Sequence, residues 1–263
     1  ILKSDFRCYK TPRSVNTLAG LVRDVNEALP ADTQIYIAEA GARLSGDIAE
    51  ITEFLAPQIV VVGEIGAPPI EYFKSIENIR KTKLEALTSA RLKHAFLHSS
   101  TQKSADERVT IYDEGLKIHG ADLDGIKFSL CLSENESLAS GGNSVPHADT
   151  SAAESEGQGD LSEDAKGAHR ECSTGQEKHE KQERQENQDK RTGEGDRHEF
   201  FAPILGKFNA ANLAACIKIA RFLGLSADKI KSRVAHVSAV EHRLARLDAG
   251  GKIIIDDSFN GNL

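Results

Sequence analysis

Between positions 133 and 199 the chain contains no Ile, Phe, Tyr or Trp. It runs through SENESLASGGNSVPHADTSAAESEGQGD and closes on EKHEKQERQENQDKRTGEGDRHE. Such a stretch buries too little apolar surface to offset the entropy of ordering it. It reads as a disordered, acidic, low-complexity insertion, with a solvated polar helix over 176–191 as the alternative. Whatever folds must therefore be built from the flanks, 1–132 and 200–257, and the insertion sits inside one domain, in a hairpin of its antiparallel part. The insertion holds 17 Asp/Glu and 8 Lys/Arg, a net of −9, so the rest of the chain carries about +2 of the formal −7. A near-neutral folded part gives no electrostatic case for nucleic acid or a membrane surface, and no apolar run approaches the length of a membrane span. Cys8, Cys131, Cys172 and Cys216 are scattered with no CxxC, which favours a reducing compartment and hence the cytoplasm. There is no Met, even at position 1, as expected of a piece of a longer chain.

The first flank alternates. VNTLAGLVRDVNEAL (15–29) has helical spacing, TQIYIAEA (33–40) is a strand, and SGDIAEITEFL (45–55) is a helix with a Ser cap and Asp47 in its first turn. QIVVVGEIG (58–66) suits a buried parallel strand. SIENIRKTKLEALTSARL (75–92) predicts a long helix capped by Ser75, and KHAFLHSS (93–100) another strand. Helix and strand in turn give an α/β layer with a mainly parallel sheet flanked by helices. RVTIYD, LKIHG and IKFSLCL, short and separated by Gly and Asp, predict a small antiparallel patch. After the insertion come a strand over FFAPILGKF, helices over 209–224 and 226–237, and a buried strand at GKIIIDD.

Motifs that name a reaction are missing. G-x-x-x-x-G-K-[ST], HExxH and G-x-S-x-G do not occur. What remains is weaker. Glu39 and Glu64 close neighbouring strands, each followed two residues on by Gly (Gly41, Gly66), and two such carboxylates can hold a hard cation through oxygen; each is equally a solvated strand-end acid. Lys83 in its helix is a surface lysine on this pattern alone. Asn209 and Asn212, a turn apart, include a simple helix cap, and Asp256 and Asp257 serve as turn acids.

The order of these fragments resembles the central domain of the Mur ligases, cytoplasmic amide ligases that extend the peptide of peptidoglycan precursors. The matching residues are Glu39-Ala40-Gly41, Gly46-Asp47-Ile48, Ile65-Gly66, Phe73-Lys74-Ser75-Ile76-Glu77 and Lys83-Leu84-Glu85. Downstream, ILGKFNAANLAA carries Gly206, Asn209 and Asn212, Arg243 sits where the family has Gly-Arg, and IIIDDSFNGN is similar to the family's I-D-D-S-Y-N-A-N. The spacing is most like the member that adds D-alanyl-D-alanine, and the likeness covers nearly all of 1–132 and 200–263. It implies two parts of one central ATPase domain, 1–132 and 200–257, with 258–263 starting a linker to a further domain, and Ile1-Leu2 ending the helix after a phosphate loop.

The resemblance implies roles residue by residue. Glu39 ligates magnesium, and Lys83 is carbamylated into an anionic oxygen ligand. Asn209, Asn212, Arg243 and Asp257 hold the adenine and ribose of ATP, and Asn16 and Thr17 lie near the UDP-N-acetylmuramoyl-peptide. The reaction implied is ATP-driven, through an acyl phosphate that an incoming amine opens, in a protein expected to be a monomer; the 263 residues alone are expected to be inactive. Departures mark the cation site. Glu64 stands at a usual Asn, where it partly replaces lost charge, and Pro69 stands at a magnesium-binding His. Phe208 replaces a common His, His242 the Gly before Arg243, and Leu263 a common Pro. Other Mur-type or polyglutamate-type ligases, and a non-catalytic remnant, are the competing readings.

Overall fold

The computed structural model describes residues 1–66, 73, 75–101, 106–132 and 197–258. It is a mixed α/β fold of parallel sheets flanked by helices, with small antiparallel sheets beside them. Strands β1 (Cys8–Lys10) and β2 (Ile35–Ile37) pair in parallel, joined through helix α1 (Leu18–Glu27). Thr17 starts α1 by accepting a hydrogen bond from Gly20 N at 3.3 Å. One buried carboxylate bolts this unit together: Asp24 of α1 accepts from Tyr9 Oη at 2.7 Å and from Tyr36 Oη at 2.9 Å. Burial and the Asp24 charge both raise the Tyr36 phenol.

Helix α2 (Asp47–Leu55) buries Ile48 and Ile51. It leads into β3 (Ile59–Val62), which is parallel to β4 (His94–Leu97), itself parallel to β5 (Val109–Ile111). Residues of β4 are buried throughout, as expected of a central strand. β3 departs from that expectation: Val60 and Val62 are buried but Val61 is 48% exposed, so only one face of the strand is covered. Helix α3 (Ile76–Leu84) is capped by Ser75, which accepts from Asn78 N, but it is shorter than its sequence spacing predicts. It tightens into a 3-10 turn, Glu85–Thr88, before the chain enters β4.

RVTIYD is corrected. Its strand β5 joins the parallel sheet, not the antiparallel patch. That patch consists of β6 (Lys117–Ala121), β7 (Ile126–Cys131) and β8 (Arg197–Ala202), with β7 central. Gly125 closes the β6–β7 turn at φ +146, where a Cβ would lie 2.2 Å from Ala202 O. Residues 133–196 of the acidic stretch lie outside the described residues, and its expected end at 199 is corrected: Arg197, His198 and Glu199 are the first half of β8, paired with β7. β8 stops at Ala202, earlier than FFAPILGKF suggests, because residues 203–208 turn into helix α4 (Asn209–Phe222). α4 and α5 (Ala227–Val234) close the main core with Phe96, Tyr112, Phe128, Leu130, Phe200, Ile217, Ile230 and Val234.

The last two strands overturn an expectation. β9 (Ala245–Ala249) pairs antiparallel with β10 (Lys252–Asp256) through Gly250 and Gly251, both at positive φ. Ile253, Ile254 and Ile255 are 46%, 49% and 40% exposed, so this strand is not buried. A two-stranded ribbon shields little on either face, and among the described residues β9 and β10 pair only with each other.

Candidate functional site

The loop after β2 is organised by its neighbours. Glu39 N donates to the hydroxyl of buried Thr11 at 3.3 Å. The Asn16 side-chain amide donates to Glu39 Oε1 at 3.2 Å, and Gly41 N donates to the Asn16 carbonyl at 2.8 Å. A Cβ on Gly41 would sit 2.9 Å from Asn16 Cγ, so the Glu-x-Gly spacing makes room for the residue that orients the glutamate. Asn16 thus acts on Glu39, whereas the Thr17 hydroxyl is engaged as the α1 cap. Glu39 itself is exposed.

The start of α2 shows a further correction. Ser45 is not the cap; Gly46 holds that position at φ +100 with no side-chain cap of its own. Asp47 reaches back to accept from Arg43 N and Leu44 N at 2.8 and 2.9 Å, which holds its carboxyl below the usual range. The helix N-terminus is covered from another element: Glu85 accepts from Ser45 Oγ at 3.1 Å, Gly46 N at 3.0 Å and Ala49 N at 3.2 Å. Two residues before Glu85, half-buried Lys83 lies in the last turn of α3 rather than mid-helix. Among the described residues its ammonium has no carboxylate within salt-bridge distance.

A polar cluster caps the carboxyl ends of β3, β4 and β5, where ligands of parallel sheets are held. His98 Nδ1 lies 2.9 Å from Ser100 Oγ and its Nε2 lies 3.4 Å from Asp113 Oδ2. Asp113 also accepts from Ser99 N at 2.8 Å and Ser99 Oγ at 2.5 Å, and Ser100 Oγ accepts from Ile65 N at 2.9 Å. Burial, then the charges of Asp113 and Glu64, push the Tyr112 phenol up to about 12, and exposed Glu64 directly precedes Ile65, whose N–H bonds Ser100. The sequence reading missed His98 and Asp113. Only the parallel pairing of β4 with β5 brings them together, and that strand had been placed in the wrong sheet.

The third group forms around α4 and the ribbon. Asn209 is not the cap of α4; Phe208 occupies that position with no side-chain cap. Instead, Asn209 Nδ2 donates to Leu205 O at 2.7 Å, and Asn212 Nδ2 donates to Asn209 Oδ1 at 3.2 Å. Gly206, at φ +88, leaves space for the side chains of Phe208 and Leu244, which a Cβ there would approach to 2.6 and 2.9 Å. Leu244 N donates to Asp257 Oδ1 at 3.2 Å. His242, at φ +63, bonds Asp256 Oδ2 at 2.7 Å, and Ser258 Oγ donates to Asp256 Oδ1 at 2.7 Å. Those bonds, Ser258 first and His242 second, lower the Asp256 carboxyl. Arg243 is exposed in the same turn. The fold therefore gathers Gly206, Asn209, Asn212, Leu244 and Asp257 through direct contacts. Among the described residues no contact joins Glu39, Glu64 and Lys83, and no three His, Cys, Asp or Glu side chains cluster to hold a metal. Pro69 and Leu263 lie outside the described residues.

Residues 1–123 match the family model for the Mur ligase middle domain. Over those residues the chain is similar to the Mur ligase middle domain. It is 22% identical over its whole length to the UDP-N-acetylmuramoyl-tripeptide–D-alanyl-D-alanine ligase of Bacillus subtilis (strain 168), and spans 46% of that protein. Its fold is that of MurF from Acinetobacter baumannii, with a TM-score of 0.66 at 15% identity, covering 99% of this chain and 47% of that one. The MurF ligase of Thermotoga maritima in complex with ADP gives 0.63 at 17% identity, covering 99% and 49%. The chain thus spans about half the length of these relatives. Among the described residues no helix is long and apolar enough to cross a membrane.

Proposed function

We propose that this chain is the ATP-binding centre of a ligase that adds D-alanyl-D-alanine to a UDP-N-acetylmuramoyl-tripeptide. The observation that carries the reading is the contiguous surface of Asn209, Asn212, Gly206, Leu244 and Asp257. Residues far apart in sequence meet there without a structural partner exhausting their polar atoms. Asn209 and Asn212 offer amides to an adenine, and the Asp257 oxygen not held by Leu244 N accepts a ribose hydroxyl, with exposed Arg243 alongside. The ADP-bound relative supports the nucleotide class.

The cation assignment rests on donor chemistry. Glu39 keeps Oε2 open while Asn16 steadies Oε1, and magnesium is commonly held by one or two protein carboxylates plus phosphate oxygens. Glu39 and a carbamylated Lys83 would hold it, with Glu64 adding negative charge in place of the usual Asn. When bound, the ion neutralises charge developing on the transferred phosphoryl oxygens. The substrate carboxylate takes the γ-phosphoryl group, ADP leaves, and the amine of D-alanyl-D-alanine then displaces inorganic phosphate from the acyl phosphate, losing a proton. Asn16 and Thr17 stand at the nucleotide-sugar side, and the protein works as a cytoplasmic monomer.

The 263-residue chain is expected to bind ADP weakly, with a Kd of about 1 mM, and Asp257→Ala to weaken it about tenfold. Calorimetric titration checks this, and unchanged affinity in both Asn209→Ala and Asp257→Ala would remove the nucleotide assignment. The chain alone is expected to release no phosphate. The full-length coding product should release it only with both substrates present, and Lys83→Ala should abolish most of that release.

A further inference from the structure

The Lys-x-Glu spacing gives Lys83 a neighbour whose work is done elsewhere. Glu85 sits at the head of the 3-10 turn that ends α3, yet its carboxylate covers the first amides of α2, some forty residues earlier in the chain. Gly46 N lies 3.0 and 3.1 Å from its two oxygens, Ala49 N lies 3.2 Å from Oε2, and Ser45 Oγ lies 3.1 Å from Oε1. Gly46 brings no side-chain cap of its own, and among the described residues Glu85 is the carboxylate that covers the positive end of α2. The segment that Glu85 grips is the far end of the loop that begins at Glu39. Its near end is pinned by Asn16 to Glu39 and Gly41, and its middle by Asp47 to Arg43 N and Leu44 N. Three sets of hydrogen bonds, joined by the backbone between them, therefore hold the segment that runs from Glu39 through residues 41–49 to Glu85, two residues from Lys83. No direct contact between Glu39 and Lys83 does this job among the described residues.

We propose that Glu85 is a positioning residue: by clamping the α2 N-terminus it fixes the end of α3, and with it Lys83, against the Glu39 loop. This deepens the reading of Lys83 as a carbamate ligand and rests on it. In that chemistry the Lys83 Nζ lone pair forms an N–C bond to the carbon of carbon dioxide. One C=O pair moves onto oxygen, and the nitrogen loses a proton to solvent. The product holds a cation only if its backbone stands at a fixed distance from Glu39, and a loosened support around such a ligand typically costs about tenfold or more in occupancy.

The test supplies 13C-bicarbonate and magnesium to the 263-residue chain and reads the carbamate carbon by nuclear magnetic resonance, with Lys83→Ala identifying the signal. Glu85→Ala is expected to lower carbamate occupancy about tenfold at equal bicarbonate. Glu85→Gln, which keeps one acceptor oxygen for Gly46 N and Ser45 Oγ, should retain an intermediate level and guards against misfolding of the alanine variant. Leu130→Ala, a core truncation away from this loop, controls for lost stability and should keep the parental signal. A parental signal in folded Glu85→Ala and Glu85→Gln would overturn the clamp alone. The absence of any Lys83-dependent signal in the parent chain would overturn the Lys83 reading and the clamp with it.

Discussion

β7 and β10 are both short antiparallel strands rich in apolar residues, and they end in opposite surroundings. Ile126, Phe128 and Leu130 of β7 are fully buried, flanked by β6 and β8 and covered by α4 and α5. Ile253, Ile254 and Ile255 of β10 have one strand partner and remain 40–49% exposed. The difference lies in the cover and not in the strand. A run of isoleucines is buried when helices close over it, and the two helices that follow β8 are spent on the other sheet. The ribbon is held instead by polar clamps: His242 and Ser258 on Asp256, Leu244 N on Asp257, and Arg246 on the β6–β7 turn. The proposed ribose-binding end of the site thus stands on the less stable of the two antiparallel pieces, as suits a surface that must accept a ligand.

Truncations should separate the two pieces most sharply. Phe128→Ala removes a fully buried ring stacked on Phe200 at 5.4 Å and should cost about 3–5 kcal/mol. Ile254→Ala, on a residue 49% exposed, should cost within about 1 kcal/mol. Urea unfolding of both variants checks the contrast, and comparable losses would mean that the ribbon is part of the cooperative core.

The layered order of helices and strands was legible because each segment carries its own periodicity, and Ser75 opens its helix as local chemistry dictates; the Thr17 cap two residues inside the expected helix start emerged only from the structure. Partners across sequence were not. Nothing local tells Val109–Ile111 to lie parallel to β4, and so the His98–Asp113 cluster stayed hidden. Ser45 has the right chemistry for a cap and loses the position to Gly46, because Glu85 arrives from another helix to do the same work. The candidate site divides along the same line. Asn209, Asn212 and Asp257 were named from a resemblance, and the structure adds what holds them: Leu205, Leu244 and the strained turn at His242.

A pH titration sharpens the comparison further. Asp256 has a folded-state pKa lowered from 3.8 by Ser258 and His242. Its contribution is therefore present above the unfolded value and is lost as pH falls through the lowered folded value. Hydrogen exchange should show the amides of β9 and β10 losing protection below pH 3.8 before those of β6–β8 do. Simultaneous loss in both sheets would tie the two pieces into one unit.

The smallest expected effect comes from Arg246. Its Nη1 donates to Leu123 O at 2.8 Å and lies 3.2 Å from Asp124 Oδ1, while its Nη2 lies 3.2 Å from Asp248 Oδ1. Asp124 is 84% exposed and Asp248 68%, so water screens both ion pairs, and neither adds much to global stability. The bond to the Leu123 carbonyl differs, because it ties the ribbon to the β6–β7 turn. Arg246→Ala should therefore leave the urea midpoint nearly unchanged, within about 0.5 kcal/mol, while exchange of the β9 and β10 amides speeds up. Arg246→Lys keeps the charge but lacks the forked geometry to reach Leu123 O and both carboxylates at once, so it should behave like alanine. If lysine restores the slow exchange, charge alone holds the ribbon, and the tether to the turn is not what separates its stability from that of the covered sheet.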